Sequence, residues 1–123
     1  MAAQEKTRVA PIDLMALERV RAHIDENLGR TVTTDELCRV ALMSTSKLTR
    51  LFKRTWGATP QEYARTLRME QACRMLAGSD LSLTEISQRL GFVRLGSFSE
   101  AFHGRIGCTP SEYRNRAHER REV

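Results

Sequence analysis

The chain has 123 residues, 41% of them hydrophobic and 28% charged. That suffices for one packed domain or two very small ones and is too apolar for wholesale disorder, while no apolar run approaches the ~20 residues that span a bilayer. The formal charge is +5, and it is unevenly spread: between Arg39 and Arg68 seven bases face the single acid Glu62, whereas residues 1–38 carry more acids than bases. A local cationic excess of that kind suits an anionic partner.

The first residues, M-A-A-Q-E-K-T-R-V-A-P, lack the apolar core of a secretory signal, so a cytoplasmic location is expected. Residues 1–12 read as a disordered leader, small and polar up to Pro11. The first helix is predicted to start after Asp13 and run to Asn27. Leu14, Leu17, Val20, Ile24 and Leu28 form its single apolar stripe, and Gly29 reads as a left-handed stop. Its outer face mixes charges of both signs, which marks scaffold.

Thr33-Thr34-Asp35-Glu36 is a capping box opening a second helix over about 34–41, with Leu37, Cys38 and Ala41 inward. Leu42-Met43 makes a short turn. Ser44 is a good cap for a third helix, Thr45 to about Trp56, whose Leu48, Leu51 and Phe52 face the core. The other side presents Ser46, Lys47, Thr49, Arg50, Lys53 and Arg54, and Gly57 ends it. A short helix, a tight turn and a helix with hydroxyls and cations outward is a helix-turn-helix. Ser46 and Thr49 are short enough to let base edges approach, Arg50 can grip guanine bidentately, and Lys47, Lys53 and Arg54 lie toward flanking phosphates.

Thr59-Pro60-Gln61-Glu62 is a third capped start, with proline at the first helical position. It opens the longest helix, predicted over 60–77 with Gly78 as a left-handed stop. Ser82-Leu83-Thr84-Glu85 opens a fifth helix to about Leu90, with Ile86 and Leu90 inward; Gly91 turns and Phe92 packs. The sixth helix, about Leu95 to Ile106, buries Phe98, Ala101 and Phe102. Arg94 stands ahead of it, and its outer face carries Leu95, Gly96, Ser97, Ser99, Glu100 and His103. Gly107 ends it. A last helix, about Pro110 to Arg116, leaves residues 117–123 as a charged, fraying tail.

The chain repeats itself. Phe52 to Tyr63, F-K-R-T-W-G-A-T-P-Q-E-Y, recurs fifty residues on as Phe102 to Tyr113, F-H-G-R-I-G-C-T-P-S-E-Y. Phe, Gly, Thr, Pro, Glu and Tyr coincide in register. The chain therefore reads as all-α: seven helices in two helix-turn-helix subdomains, about 34–56 and 83–106, joined by the long helix. Matched caps, glycine stops and polar outer faces in both copies are hard to explain as scaffold alone.

These residues resemble the AraC-type DNA-binding domain. The resemblance is carried by L-T-R-L-F-K-R-x-x-G-x-T-P-Q-E-Y, L-R-M-E-Q-A, L-T-E-I-S-Q-R-L-G-F, S-F-S-E-A-F and G-C-T-P-S-E-Y-R, and it covers about Leu14 to Arg116. It implies two helix-turn-helix subdomains on one connecting helix, bound as a monomer to an asymmetric double-stranded DNA site in adjacent major grooves. It also implies regulation of bacterial promoters, often activation, with RNA polymerase as a further partner. The reading positions it assigns are Ser46, Thr49 and Arg50, with Lys53 nearby, and Leu95, Gly96, Ser99 and Glu100, with His103 nearby. Two positions depart from the family pattern. Leu42 stands where the family turn often has Gly, so either a leucine with positive φ costs roughly 1 kcal/mol or the turn is remodelled. Glu100 stands where a basic or polar reader is common; it can accept from cytosine N4 but repels phosphate.

Family members usually carry a separate ligand-binding or dimerisation domain, for which 123 residues leave no room. A stand-alone member and an excised domain of a larger regulator are both compatible, and the start at Met1 leans to the first. An enzyme is the weakest alternative: there is no phosphate loop, and His23, His103 and His118 are scattered. Cys38, Cys73 and Cys108 lie 35 residues apart, a spacing of no zinc or disulfide framework, so each is expected as a small buried hydrophobe. No metal or cofactor is called for, and a zinc-containing repair methyltransferase is disfavoured by the same cysteines. A helical protein-interaction module would suit an acidic third-helix face, and the face is basic.

Overall fold

The structure, a computed structural model, describes residues 8–122. Seven helices and no strand occur among them: α1 Pro11–Glu26, α2 Thr34–Ala41, α3 Thr45–Trp56, α4 Pro60–Gly78, α5 Leu83–Arg89, α6 Leu95–Ile106 and α7 Pro110–Glu122. Among the described residues the chain forms two compact units, 8–27 with 32–65 and 28–31 with 66–122. Helix α4 passes from the first to the second.

In the first unit the apolar stripe of α1, Ala16, Leu17, Val20 and Ile24, is buried with Val32, Leu37, Ala41, Leu48, Leu51, Phe52 and Ala64. Phe52 is fully buried, which contributes roughly 1.5–3 kcal/mol. Its ring meets Trp56 at 4.6 Å and Tyr63 at 5.6 Å between centroids, both edge-on, the arrangement aromatic quadrupoles favour. Arg21 lies 4.8 Å over the Trp56 ring. Polar ties complete the unit. His23 Nε2 lies 2.5 Å from Glu36 Oε2, Tyr63 OH donates to Asp25 Oδ1 at 3.2 Å, and Gln61 Nε2 donates to the Val32 carbonyl at 3.0 Å.

The second unit is built around Met69, Ala72, Leu76, Ile86, Leu90, Phe98 and Phe102, with Phe92 and Tyr113 packed against them. Phe98 lies 5.5 Å from Phe92 and 5.9 Å from Phe102. Phe102 meets Tyr113 edge-on at 5.7 Å, so the repeated F…T-P-x-E-Y string yields the same ring pair in both units. Arg114 closes α4: its Nε donates to the Leu76 carbonyl at 3.1 Å and its Nη2 to the Ser79 carbonyl at 3.4 Å. Those are the orphan acceptors of a helix C-terminus.

The caps follow the sequence. Thr33, Ser44, Thr59, Ser82 and Thr109 each accept from the backbone N–H three residues on, at 3.1–3.2 Å. At Thr109 the box is reciprocal, its own N–H donating to Glu112 Oε1 at 3.0 Å. The Thr109 backbone N–H first, and its hydroxyl second, hydrogen-bond the Glu112 carboxyl and hold it below its ordinary pKa.

Several expectations are corrected. Helix α1 starts at Pro11, not after Asp13, and stops at Glu26, because proline fits the first turn. Of the expected leader, residues 1–7 lie outside the described residues, and Pro11 and Ile12 are helical. Gly29 and Gly78 are not left-handed stops: positive φ occurs only at Leu42, Gly57, Gly91 and Gly107 among the described residues. Asn27 caps α1, its Nδ2 donating to the His23 carbonyl at 2.7 Å. Gly29 is needed for close approach instead, since a Cβ there would stand 2.9 Å from the Arg89 carbonyl oxygen. Gly78 lies inside α4, and Ser79 closes that helix through its N–H and hydroxyl on the Met75 carbonyl, at 3.1 and 2.6 Å. Ala101 is exposed, not buried. Of the cysteines, only Cys108 is buried; Cys38 and Cys73 are half-buried. Helix α7 runs through the expected tail to Glu122.

Candidate nucleic-acid interface

The first motif is α2, its turn and α3. Leu42 adopts φ 55, ψ 45, so the turn keeps the left-handed geometry and leucine bears its strain. The Leu42 and Met43 amides both donate to the Cys38 carbonyl, closing α2. Ser44 then caps α3, and Gly57, at φ 76, ends it. Leu48, Leu51 and Phe52 pin α3 to the core. Ser46, Arg50, Lys53 and Arg54 are left exposed and Thr49 half-buried. Ser46, Thr49, Arg50 and Lys53 fall at i, i+3, i+4 and i+7, one helix face. Lys47 is half-buried to one side, its Nζ 3.5 Å from Asp13 Oδ1 on α1. Helix α3 carries four cations and no acid.

The second motif is α5, its turn and α6. Gly91 takes φ 84 at the position of Leu42. Its amide donates to the Gln88 carbonyl and that of Phe92 to the Ser87 carbonyl, at 3.1 and 3.0 Å. Glycine is doubly required, because a Cβ there would lie 3.1 Å from the backbone of Gly29. Arg94 is the cap residue of α6 and makes no side-chain cap bond. Phe98 and Phe102 pin the helix. Arg94, Leu95, Gly96, Ser97, Glu100 and His103 are exposed, and Ser99 is half-buried. Gly96, Ser99, Glu100 and His103 repeat the register of Ser46, Thr49, Arg50 and Lys53. The charge does not repeat, for Glu100 offsets Arg105 within α6. Arg105 in turn hydrogen-bonds Thr66 on α4 through its guanidinium.

Each motif thus gathers its expected residues on one exposed face, with Lys47 set aside by Asp13. Other members of the basic segment are spent elsewhere: Arg68 lies 5.9 Å over the Phe92 ring. Sequence reading missed Val93, 96% exposed at the second turn, and Asp13. An exposed apolar residue in a turn leaves no periodic signal, and the Asp13 contact spans 34 positions of sequence. No group of three or more His, Cys, Asp or Glu among the described residues is placed to hold a metal. Burial, partly opposed by a hydrogen bond from Tyr113, pushes the Cys73 thiol above its ordinary pKa, the reverse of a reactive cysteine.

Two helix-turn-helix motifs, each with a pinned second helix and a polar outer face, define the class of this fold. A family model described as a helix-turn-helix domain matches residues 37–116, and the chain belongs to the AraC-type helix-turn-helix family. It is 36% identical over 100 residues to the XylDLEGF operon transcriptional activator of Pseudomonas putida, covering 79% of this chain and 31% of that protein. It is 32% identical over 117 residues to the RCS-specific HTH-type transcriptional activator RclR of Escherichia coli K12, covering 93% of this chain and 41% of that one. The chain therefore spans well under half of either relative. Among solved structures, the DNA-binding domain of AdpA in complex with a target DNA superposes with a TM-score of 0.81 at 31% identity, over 87% of this chain and 96% of that one.

Proposed function

We propose that the chain is a sequence-specific DNA-binding transcription regulator, an activator at bacterial promoters, acting in the cytoplasm on the nucleoid. It binds double-stranded DNA as a monomer, with α3 and α6 in adjacent major grooves of one asymmetric site, and it contacts RNA polymerase there. It uses no cofactor and carries out no catalysis. The observation that carries this reading is the face of α3: hydroxyls at the centre, Arg50 beside them, Lys53 and Arg54 outward, and no acid to repel phosphate. The likeness to AdpA, whose domain was captured on a target DNA, and to an operon activator supports it. In this reading α3 supplies most of the affinity, because α6 carries Glu100 where α3 carries Arg50. The relatives carry the matched region within longer polypeptides, which supports a second reading, the DNA-binding part of a larger ligand-responsive regulator.

The test is selection of bound sequences from a random duplex pool, followed by a salt titration on the winner. A defined asymmetric site and a log–log salt slope of several units are expected, each neutralised phosphate adding about 0.9. Failure to enrich any sequence, or a flat salt slope, would overturn the reading and favour a protein partner.

A further inference from the structure

The first turn of α6 carries apolar surface that the fold does not use. Val93 is 96% exposed and Leu95 38% exposed, on either side of the cap residue Arg94. In register with the first motif, Leu95 takes the place of Thr45 and Gly96 that of Ser46. Val93 has no counterpart: the caps Ser82 and Arg94 stand one residue further apart than Thr33 and Ser44. A Cβ on Gly96 would meet no protein atom within 4 Å, so packing does not demand glycine there. Besides the exposed Arg94 and Ser97, this helix end offers valine, leucine and bare backbone, which have no side-chain donor or acceptor for a base edge. It can come close to something apolar. On the major-groove edges of the four bases, the apolar group is the 5-methyl of thymine.

We propose that Val93 and Leu95 are specificity-determining residues that select thymine by packing on its 5-methyl group, with Gly96 permitting the close approach. This rests on the DNA-binding reading above. It gives the two motifs different chemistries. Helix α3 reads through hydroxyls and a guanidinium, and the start of α6 adds apolar contact to the polar face of Ser99, Glu100 and His103. Glu100, on the same helix, weakens attraction to the backbone, so discrimination at α6 must come from base edges.

The experiment uses the full chain and the duplex selected from the random pool. Each thymine is replaced singly by deoxyuridine, which deletes the methyl and leaves the pairing edge intact, and binding is followed by fluorescence anisotropy. At one or two positions the wild type is expected to lose about fourfold in affinity, the factor that burial of one methyl group carries. Leu95→Ala should bind the thymine duplex more weakly by a similar factor and no longer distinguish uracil from thymine at that position. Val93→Ala provides a second variant that removes almost no packed surface, and an unchanged thermal midpoint confirms that both variants fold. Tight wild-type binding with no sensitivity to any deoxyuridine would overturn the proposal while leaving the DNA-binding reading intact. So would full thymine discrimination in both variants. If no duplex is bound at all, the underlying reading falls and this inference with it.

Discussion

The two helix-turn-helix motifs share a frame and differ in what they present. Both place a fully buried phenylalanine, Phe52 or Phe102, edge-on to a tyrosine, Tyr63 or Tyr113, at nearly the same distance. Both turn through a left-handed residue and end their second helix on a left-handed glycine. Outward, position by position in the repeat, Arg50 corresponds to Glu100, Lys53 to His103, Arg54 to Gly104 and Lys47 to Ser97. The difference teaches that the inner residues, which decide whether the unit folds, are constrained separately from the outer ones, which decide what it touches. Duplicated scaffolds can therefore carry unequal loads.

The sharpest way to break that comparison is at the turn. Gly91→Leu installs the first motif's residue in the second. It should cost roughly 3 kcal/mol of stability, from positive φ plus the clash with the Gly29 backbone; thermal or urea unfolding reads it, and near-neutral behaviour would show that the two turns are interchangeable. On the outer face, Arg50→Ala is expected to lower DNA affinity by about 10- to 100-fold, against less than about threefold for Glu100→Ala. Equal losses in a titration of both variants would erase the division of labour. Lys53→Gln should reduce the log–log salt slope by about 1, one phosphate contact fewer. The reciprocal turn swap, Leu42→Gly, is expected to stabilise by only about 0.5 kcal/mol, since relief of backbone strain is partly offset by the entropy of glycine. Smallest of all, Asp13→Asn frees Lys47 from its half-exposed ion pair and should tighten binding by up to about twofold at low salt. Weaker binding would mean that Asp13 positions Lys47 for use instead of withholding it.

Much of the fold was legible because the signals were local. Capping boxes, apolar spacing and the fifty-residue repeat placed all seven helices. The outer residues of α3 and α6 could be named because their periodicity left only one face for the core. The failures were those where a residue has two local meanings and a distant contact chooses between them. Gly29 could be a stop or a close approach, and the Arg89 carbonyl, sixty positions away, decided. Ala101 suits a core or a surface, and nothing packs over it. Helix α7 extends through P-S-E-Y-R-N-R-A-H-E-R-R-E, whose charges conceal any apolar stripe. Leu42 was ambiguous for the opposite reason: side-chain preference argued against the conformation that the turn imposes.

Residues 28–31 belong with the second unit although α1 before them and α2 after them belong to the first. The polypeptide consequently enters the second unit, leaves it and returns. No single cut yields both units whole: a fragment beginning at Thr66 would lack the Gly29 peptide against which Gly91 is fitted. Truncations meant to isolate the C-terminal motif should therefore be fragile unless that short connecting stretch is supplied.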